Sequence, residues 1–220
     1  MSVHHHLSDA TLMSYAAGNL PESMTLVIAA HLSMCPSCRN KLTVLEDIGG
    51  VELERAPIQA MAPDALDRVL QQLGPQEERP IRVAPPDAAQ SGSDIPQPLR
   101  SYLPDRLSDI PWKTMAPGIK TFTLADVKTQ TGALRLLKIA PGVTIPEHTH
   151  GGMELTLVLK GSFSDEIGRF TCGDIADLDE ETYHQPIADT DEDCICLIAT
   201  DAPLRFNKLV PRLMQYFTGM

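Results

Sequence analysis

The sequence predicts a two-domain α + β chain: a small bundle of three to four helices, then an all-β barrel of the jelly-roll kind. Three observations carry this expectation. Apolar residues recur at helical spacing as far as Gly74, then switch after Trp112 to short alternating runs punctuated by Gly and Pro. Between the two regimes lies a stretch rich in proline and polar residues. Two compact groups of His, Cys and Glu fall one in each half.

At 220 residues the chain can make one large domain or two ordinary ones, and 43% hydrophobic content is that of a globular protein. No apolar run approaches the ~20 residues that span a bilayer. The amino terminus lacks the charged-then-apolar pattern of a secretion signal. Five cysteines in no regular framework argue against a disulfide scaffold and for a reducing cytoplasm. The net charge of −11 argues against direct nucleic-acid binding and suits a basic protein partner. Residues 1–75 hold 4 Lys/Arg and 8 Asp/Glu, a net −4, which leaves −7 for the rest. Residues 174–193 carry nine acidic side chains and no basic one, the mark of a solvated face.

Ser8 is placed to cap a first helix over residues 8–18, which Gly18-Asn19 stops. A second covers residues 21–34, with Leu26, Val27, Ala30 and His31 inward. The third starts near Pro36 and carries Leu42, Leu45 and Ile48 to Gly49-Gly50, with residues 51–56 a weak extension. The fourth follows Pro63, with Leu66, Val69, Leu70 and Leu73 at helical spacing up to Gly74-Pro75. Met13, Met24, Met34 and Met61 read as core filling. So thin a core calls for a staple, which a metal can supply.

Six prolines between Gly74 and Pro98, among Gln, Glu, Asp and Ser, mark a linker that lets the halves move independently. The expected domains are therefore residues 1–75 and 101–220, with 76–100 between them. Strands are expected at 122–124, Ala133–Ile139, 155–159, 163–167, Ile175–Leu178 and 194–199.

The first chemical group is His31-Leu-Ser-Met-Cys35-Pro-Ser-Cys38. His31 and Cys35, four apart, share one helix face. Cys38 follows across a turn in which Pro36 sits where a first helical turn tolerates proline. Three donors at one spot want a fourth for tetrahedral zinc, and His4-His5-His6 offers it just ahead of the Ser8 cap. A bare C-x2-C also fits a redox pair. The thioredoxin kind needs a preceding strand, however, and residues 26–32 read as helix.

His6, 24 intervening residues, then His31-x3-Cys35-x2-Cys38 resembles the zinc-binding domain of anti-sigma factors that restrain extracytoplasmic-function sigma factors. Leu7-Ser8-Asp9, Tyr15, Gly18-Asn19-Leu20 and His31-Leu32 fit around it. The resemblance covers about residues 1–75. It implies one structural Zn²⁺ on His6, His31, Cys35 and Cys38. The residues by themselves leave His4 and His5 open as alternatives to His6.

The second group is Gly142-x5-His148-x-His150-x3-Glu154-x6-Gly161. Two histidines two apart on extended chain leave the same face. A Gly151-Gly152 turn follows, and Glu154 then opens the returning strand. Two imidazoles and a carboxylate converging in a barrel suit Zn, Fe, Mn or Ni. The spacing resembles the first cupin motif at every marked position. The second motif falls on Gly173, Asp179, Glu181, His184 and Ala188, and matches at Gly173 and His184 alone. The resemblance implies a cupin barrel with a divalent metal, zinc first, on His148, His150, Glu154 and His184. Cys172, Cys194 and Cys196 lie in the same half, as buried core or as oxidisable sulfur near that metal.

Together the halves resemble the ChrR-like anti-sigma factors, cytoplasmic regulators that join a zinc-binding helical domain to a cupin. That likeness implies a negative regulator of transcription that holds an extracytoplasmic-function sigma factor away from core RNA polymerase. Release would follow oxidative stress of the singlet-oxygen kind, through the cupin. It implies no catalytic residue, no membrane and no direct contact with nucleic acid. The competing readings are a cupin metalloenzyme of dioxygenase or isomerase type, or a small-ligand-binding cupin with an accessory zinc domain. A metabolic cupin has no evident use for the helical domain, which favours the regulator.

Overall fold

The computed structural model describes residues 2–73, 93–124, 127 and 132–202, and the backbone of 204–206. Four helices come first: α1 (Asp9–Ala16), α2 (Glu22–Met34), α3 (Pro36–Arg55) and α4 (Ala65–Gln72). The Ser8 side chain accepts from Thr11 N–H, and Gly18 at φ 68° closes the other end of α1. Cys35 ends α2 and caps α3, its sulfur accepting from Cys38 N–H, with Pro36 in the first turn. α3 runs straight through Gly49-Gly50 to Arg55, so the weak extension is real helix. No helix among the described residues is long and apolar enough to cross a membrane.

Eleven strands follow among the described residues: β1 (Lys113–Ala116), β2 (Ile119–Thr123), β3 (Ala133–Ile139), β4 (His148–His150), β5 (Glu154–Lys160), β6 (Ser162–Ser164), β7 (Arg169–Thr171), β8 (Ile175–Leu178), β9 (Ile187–Ala188), β10 (Cys194–Thr200) and β11 (Leu204–Phe206). The large sheet has the order β1-β2-β3-β10-β5-β8, and two small sheets, β7-β6-β9 and β11-β4, complete the barrel. The fold is the expected helical bundle followed by a cupin-type β structure. One expected strand is shorter: residues 163–167 pair only as far as Ser164. There Asp165 turns the chain, taking Ile167 and Gly168 N–H on its side chain.

Within the large sheet, β5 and β10 are buried on both faces. Leu155, Leu157 and Leu159 of β5, and Ile195, Leu197 and Ala199 of β10, share one core with Leu7, Leu12, Val27 and Ile28 of the helical half. The alternate residues Val158, Cys194 and Cys196 fill the barrel with Phe163 and Phe170. α2 thus lies across the outer face of β5 and β10. Its neighbour there is the turn Gln97–Leu99, where Ile95 and Leu99 are buried.

This packing overturns the expectation that the halves move independently. Of the expected linker, residues 76–92 lie outside the described residues, and 93–100 belong to the shared core. A proline-rich composition signalled extended chain; it did not signal that Ile95 and Leu99 would find an apolar sheet face to cover. Met24 is core filling as expected, whereas Met13 and Met61 are exposed. α4 buries no residue, and its apolar row faces outward.

A shared core should unfold as a unit. Helical ellipticity and the fluorescence of Trp112, the one tryptophan, should therefore give coincident urea transitions in the metal-loaded chain. Leu197→Ala, at a fully buried position, should shift both together by about 2–5 kcal/mol. Two separate transitions would show that the halves fold apart.

Candidate metal centres

The helical centre forms where α2 ends and α3 begins. His31 sits in the last turn of α2 and Cys35 one turn on, while Cys38 is in the first turn of α3. The segment before α1 brings His6 to them. His31 Nε2 lies 3.3 Å from Cys38 Sγ, and His6 Nδ1 lies 3.3 Å from Cys35 Sγ and 3.7 Å from Cys38 Sγ. Tetrahedral zinc with bonds of about 2.0–2.3 Å puts nitrogen and sulfur donors about 3.5 Å apart, so the set fits. His31, Cys35 and Cys38 are buried and His6 is exposed. Of the other two triplet histidines, His5 stacks on Phe170 at 4.1 Å between ring centroids, and the His4 N–H donates to Asp174. The structure therefore brings His6, and neither His4 nor His5, to the thiols.

The barrel centre draws on β4, β5 and the segment beside β4. His148 and His150 leave the same face of β4, and Glu154 opens β5. His184 pairs with His148 through reciprocal backbone hydrogen bonds of 3.2 Å. All four side chains are buried, with donor atoms within 4.8 Å of one another. Each imidazole is tied at Nδ1: His148 to Pro146 O at 2.8 Å, His150 to Asp179 O at 3.2 Å, His184 to Asp165 Oδ2 at 2.9 Å. A neutral imidazole that donates from Nδ1 has a lone pair at Nε2. Three such lone pairs then meet a carboxylate. His148 and His184 Nε2 are 3.1 Å apart, and the buried His150 Nε2 has no hydrogen-bond partner among the described residues. Thr156 Oγ1 fixes Glu154 at 3.0 Å. This is the donor pattern of a metal centre with its backing groups in place.

The eight grouped residues are those named from the sequence, His6 and His184 through the family resemblances and the rest also through local spacing; what stands behind them was missed. Asp165 behind His184, and Gly173 O behind His31 Nδ1 at 3.0 Å, lie far from their histidines in sequence. Asp165 lies inside the strand expected over 163–167, so neither its turn nor the direction of its second oxygen was legible. Cys194 and Cys196 are buried with sulfurs 3.5 Å apart, and the half-buried Cys172 donates to Leu159 O.

Comparison with known proteins accounts for both centres in one chain. Residues 105–203 match the ChrR cupin-like domain, and residues 9–39 match a zinc-finger family. The anti-sigma-E factor ChrR of Cereibacter sphaeroides is 44% identical over 218 residues, 99% of each chain. The chain belongs to the ChrR family of anti-sigma factors. The crystal structure of Rhodobacter sphaeroides SigE in complex with the anti-sigma ChrR aligns with a TM-score of 0.74 at 39% identity, over 91% of this chain and all of that one. A regulator's family, a zinc-finger match and a cupin match thus fall on one polypeptide. The cupin fold also serves enzymes.

In this ChrR-family chain burial shifts the titration of His31, His148 and Cys38. It holds His31 down to about 4, with the Gly173 hydrogen bond opposing, and His148 down to about 4, with Glu154 opposing. It pushes the Cys38 thiol up to about 11. A free histidine titrates near 6.5. Between about pH 6.5 and pH 4 the unfolded chain therefore binds more protons than the folded one, and stability falls as pH falls. Each histidine contributes up to about 1.4 kcal/mol per pH unit in that window. Metal-stripped protein should show a lower urea midpoint at pH 5 than at pH 7; an unchanged midpoint would mean that these imidazoles are not held neutral.

Proposed function

We propose that this chain sequesters an extracytoplasmic-function sigma factor from core RNA polymerase in the cytoplasm. Its helical half would carry the inhibition, and its metal-binding barrel would govern release under oxidative stress of the singlet-oxygen kind. The observation that carries this reading is the end-to-end likeness to ChrR, which spans both centres at 44% identity. The surface supports it. Ile48, Val51 and Leu53 of α3 and Leu66, Val69 and Leu70 of α4 are 46–77% exposed. These are exposed apolar side chains on an acidic half, fit to meet an apolar and basic surface of a partner.

In this reading His6, His31, Cys35 and Cys38 hold one structural Zn²⁺ with no open position. His148, His150, Glu154 and His184 hold a divalent metal, with Zn²⁺ the first choice for three imidazoles and a carboxylate. When bound, that metal would supply the positive charge that holds four converging donors together. The chain catalyses no turnover. Residues 1–75 would do the inhibiting and 101–220 the sensing, a division of labour that does not need mechanical independence.

The test is co-expression of the full chain with the extracytoplasmic-function sigma factor encoded beside it. The two should co-purify and should block sigma-dependent transcription. Val69→Asp with Leu70→Asp, both at exposed positions, should leave the fold intact and weaken the complex about 30-fold or more. Failure of the unaltered chain to bind would overturn the reading and favour a cupin enzyme. A companion measurement addresses release. His150→Ala should still bind the sigma factor but should no longer derepress a sigma-dependent promoter under singlet oxygen. A normal response would take the barrel centre out of the sensor.

A further inference from the structure

Two buried aspartates outside both donor sets behave alike. Asp165 and Asp174 lie in turns at the two ends of β7, a strand of three residues, and both carboxylates are fully buried. Each spends one oxygen closing its own turn. Asp165 Oδ1 accepts from Ile167 N–H at 2.9 Å and Gly168 N–H at 3.2 Å. Asp174 Oδ2 accepts from Thr171 N–H at 2.8 Å and from the Thr171 hydroxyl at 2.9 Å. Each turns its other oxygen elsewhere, Asp165 to a barrel donor and Asp174 to the backbone just ahead of His6. Asp165 Oδ2 accepts from His184 Nδ1–H, while Asp174 Oδ1 accepts from His4 N–H at 2.6 Å and His5 N–H at 2.9 Å.

The same barrel segment reaches the helical centre twice more. Gly173, at φ 95°, aims its carbonyl at His31 Nδ1, so the barrel fixes which nitrogen of His31 faces Cys38. His5 Nε2 lies 3.1 Å from Arg169 O of β7, and its ring covers Phe170. His5 is next to His6 in the chain. The helical centre is therefore completed by groups from the barrel, and those groups hang on the strand whose other end backs His184.

We infer that Asp165 and Asp174 are positioning residues for the two metal centres, joined by β7, and that filling the barrel centre tightens metal binding at the helical centre. This rests on the metal-binding reading proposed above. Backing groups of this kind change metal affinity by about 10–100-fold. Coupling between binding sites is reciprocal and ordinarily worth about 5–150-fold. Residues 165–174 form the continuous segment that touches both centres, through Asp165 at one end and Arg169, Gly173 and Asp174 at the other.

The test follows Co²⁺ in the full chain by competition with a chelator. Cys35 and Cys38 thiolates give bound Co²⁺ a charge-transfer absorption that a centre of nitrogen and oxygen donors cannot give, so the band reports the helical centre alone. Asp174→Asn should weaken Co²⁺ there by about 10–100-fold. Should that variant fail to fold, as judged by ellipticity and Trp112 fluorescence, Thr171→Val carries the same expectation at about five-fold, one hydrogen bond's worth. Asp165→Asn touches none of the helical donors. Its amide would present a donor to His184 Nδ1 and spoil the tautomer, and it should still weaken the band by about five-fold or more. His150→Ala, which empties the barrel centre from the far side, should do the same. A chain without any charge-transfer band would overturn the zinc reading itself. A band indifferent to Asp174→Asn or Thr171→Val would overturn completion of the helical centre by the barrel. A band that responds to those but not to Asp165→Asn and His150→Ala would overturn the coupling.

Discussion

The rest of the molecule depends on one constraint: β5 and β10 of the six-stranded sheet have to be buried on both faces. β5 shows it most simply, with six of its seven residues buried. Strand geometry sends alternate residues to opposite sides, so Leu155, Leu157 and Leu159 demand a cover outside the barrel. The helical half supplies it, with α2 and the buried residues of 95–110. Each such side chain contributes about 1.5–3 kcal/mol when fully buried. The opposite parity sends Glu154 and Thr156 inward, where the carboxylate meets the histidines. One strand thus docks the helices and opens the barrel centre, and a register slip of one residue would undo both.

Both centres place groups where charge is costly. At the barrel, three imidazoles are tied back at Nδ1, which leaves lone pairs converging on a buried carboxylate. At the helical end two buried thiols sit side by side, and Cys38 resists ionisation. Packing alone does not favour such clusters, because unpaired buried polar groups cost free energy. A divalent cation would reverse the sign at both places, since it stabilises thiolate, neutral imidazole and carboxylate together. Asp165 and Asp174 remain ionised despite burial, because the hydrogen bonds they accept outweigh the desolvation that would raise them. They can serve as fixed anchors for that reason.

Legibility in the sequence followed the range of the interaction. Ser8, Gly18 and Pro36 act on their own helix ends, and the caps stand where the residue types placed them. H-x3-C-x2-C and H-x-H-x3-E encode convergence through local geometry, and those donors do converge. His184, 30 residues beyond Glu154, was recoverable only through the cupin spacing. The docking of the halves was not legible. Leu26, Val27 and Ala30 announce an apolar helix face, but the face they meet is defined by the parity of β5 and β10, and no local pattern links them. The apolar row of α4 shows the opposite case: its spacing marks a helix and does not say what covers it. Leu66, Val69 and Leu70 have helical spacing, as a core-facing row would, yet they are exposed, as a face reserved for a partner would be.

Magnitudes also decide how a change at the barrel could reach the helices. Undocking the halves would uncover Leu7, Val27, Ile28 and Leu157, each at most 2% exposed. At about 1.5–3 kcal/mol apiece, those four alone cost about 6–12 kcal/mol. A change of metal state coupled to conformation is worth about 1–3 kcal/mol. It cannot drive separation of the apolar core unless a bound partner takes over the uncovered face. Re-aiming the Gly173 carbonyl costs about one hydrogen bond, roughly 1 kcal/mol, which lies within reach. The polar edge of the interface, where β7 and β8 meet the His4–His6 segment, is accordingly the part that can respond while the apolar part stays shut. That edge also carries the groups behind both donor sets, so on the metal-binding reading the cheapest motion available to the interface is one that would alter that binding.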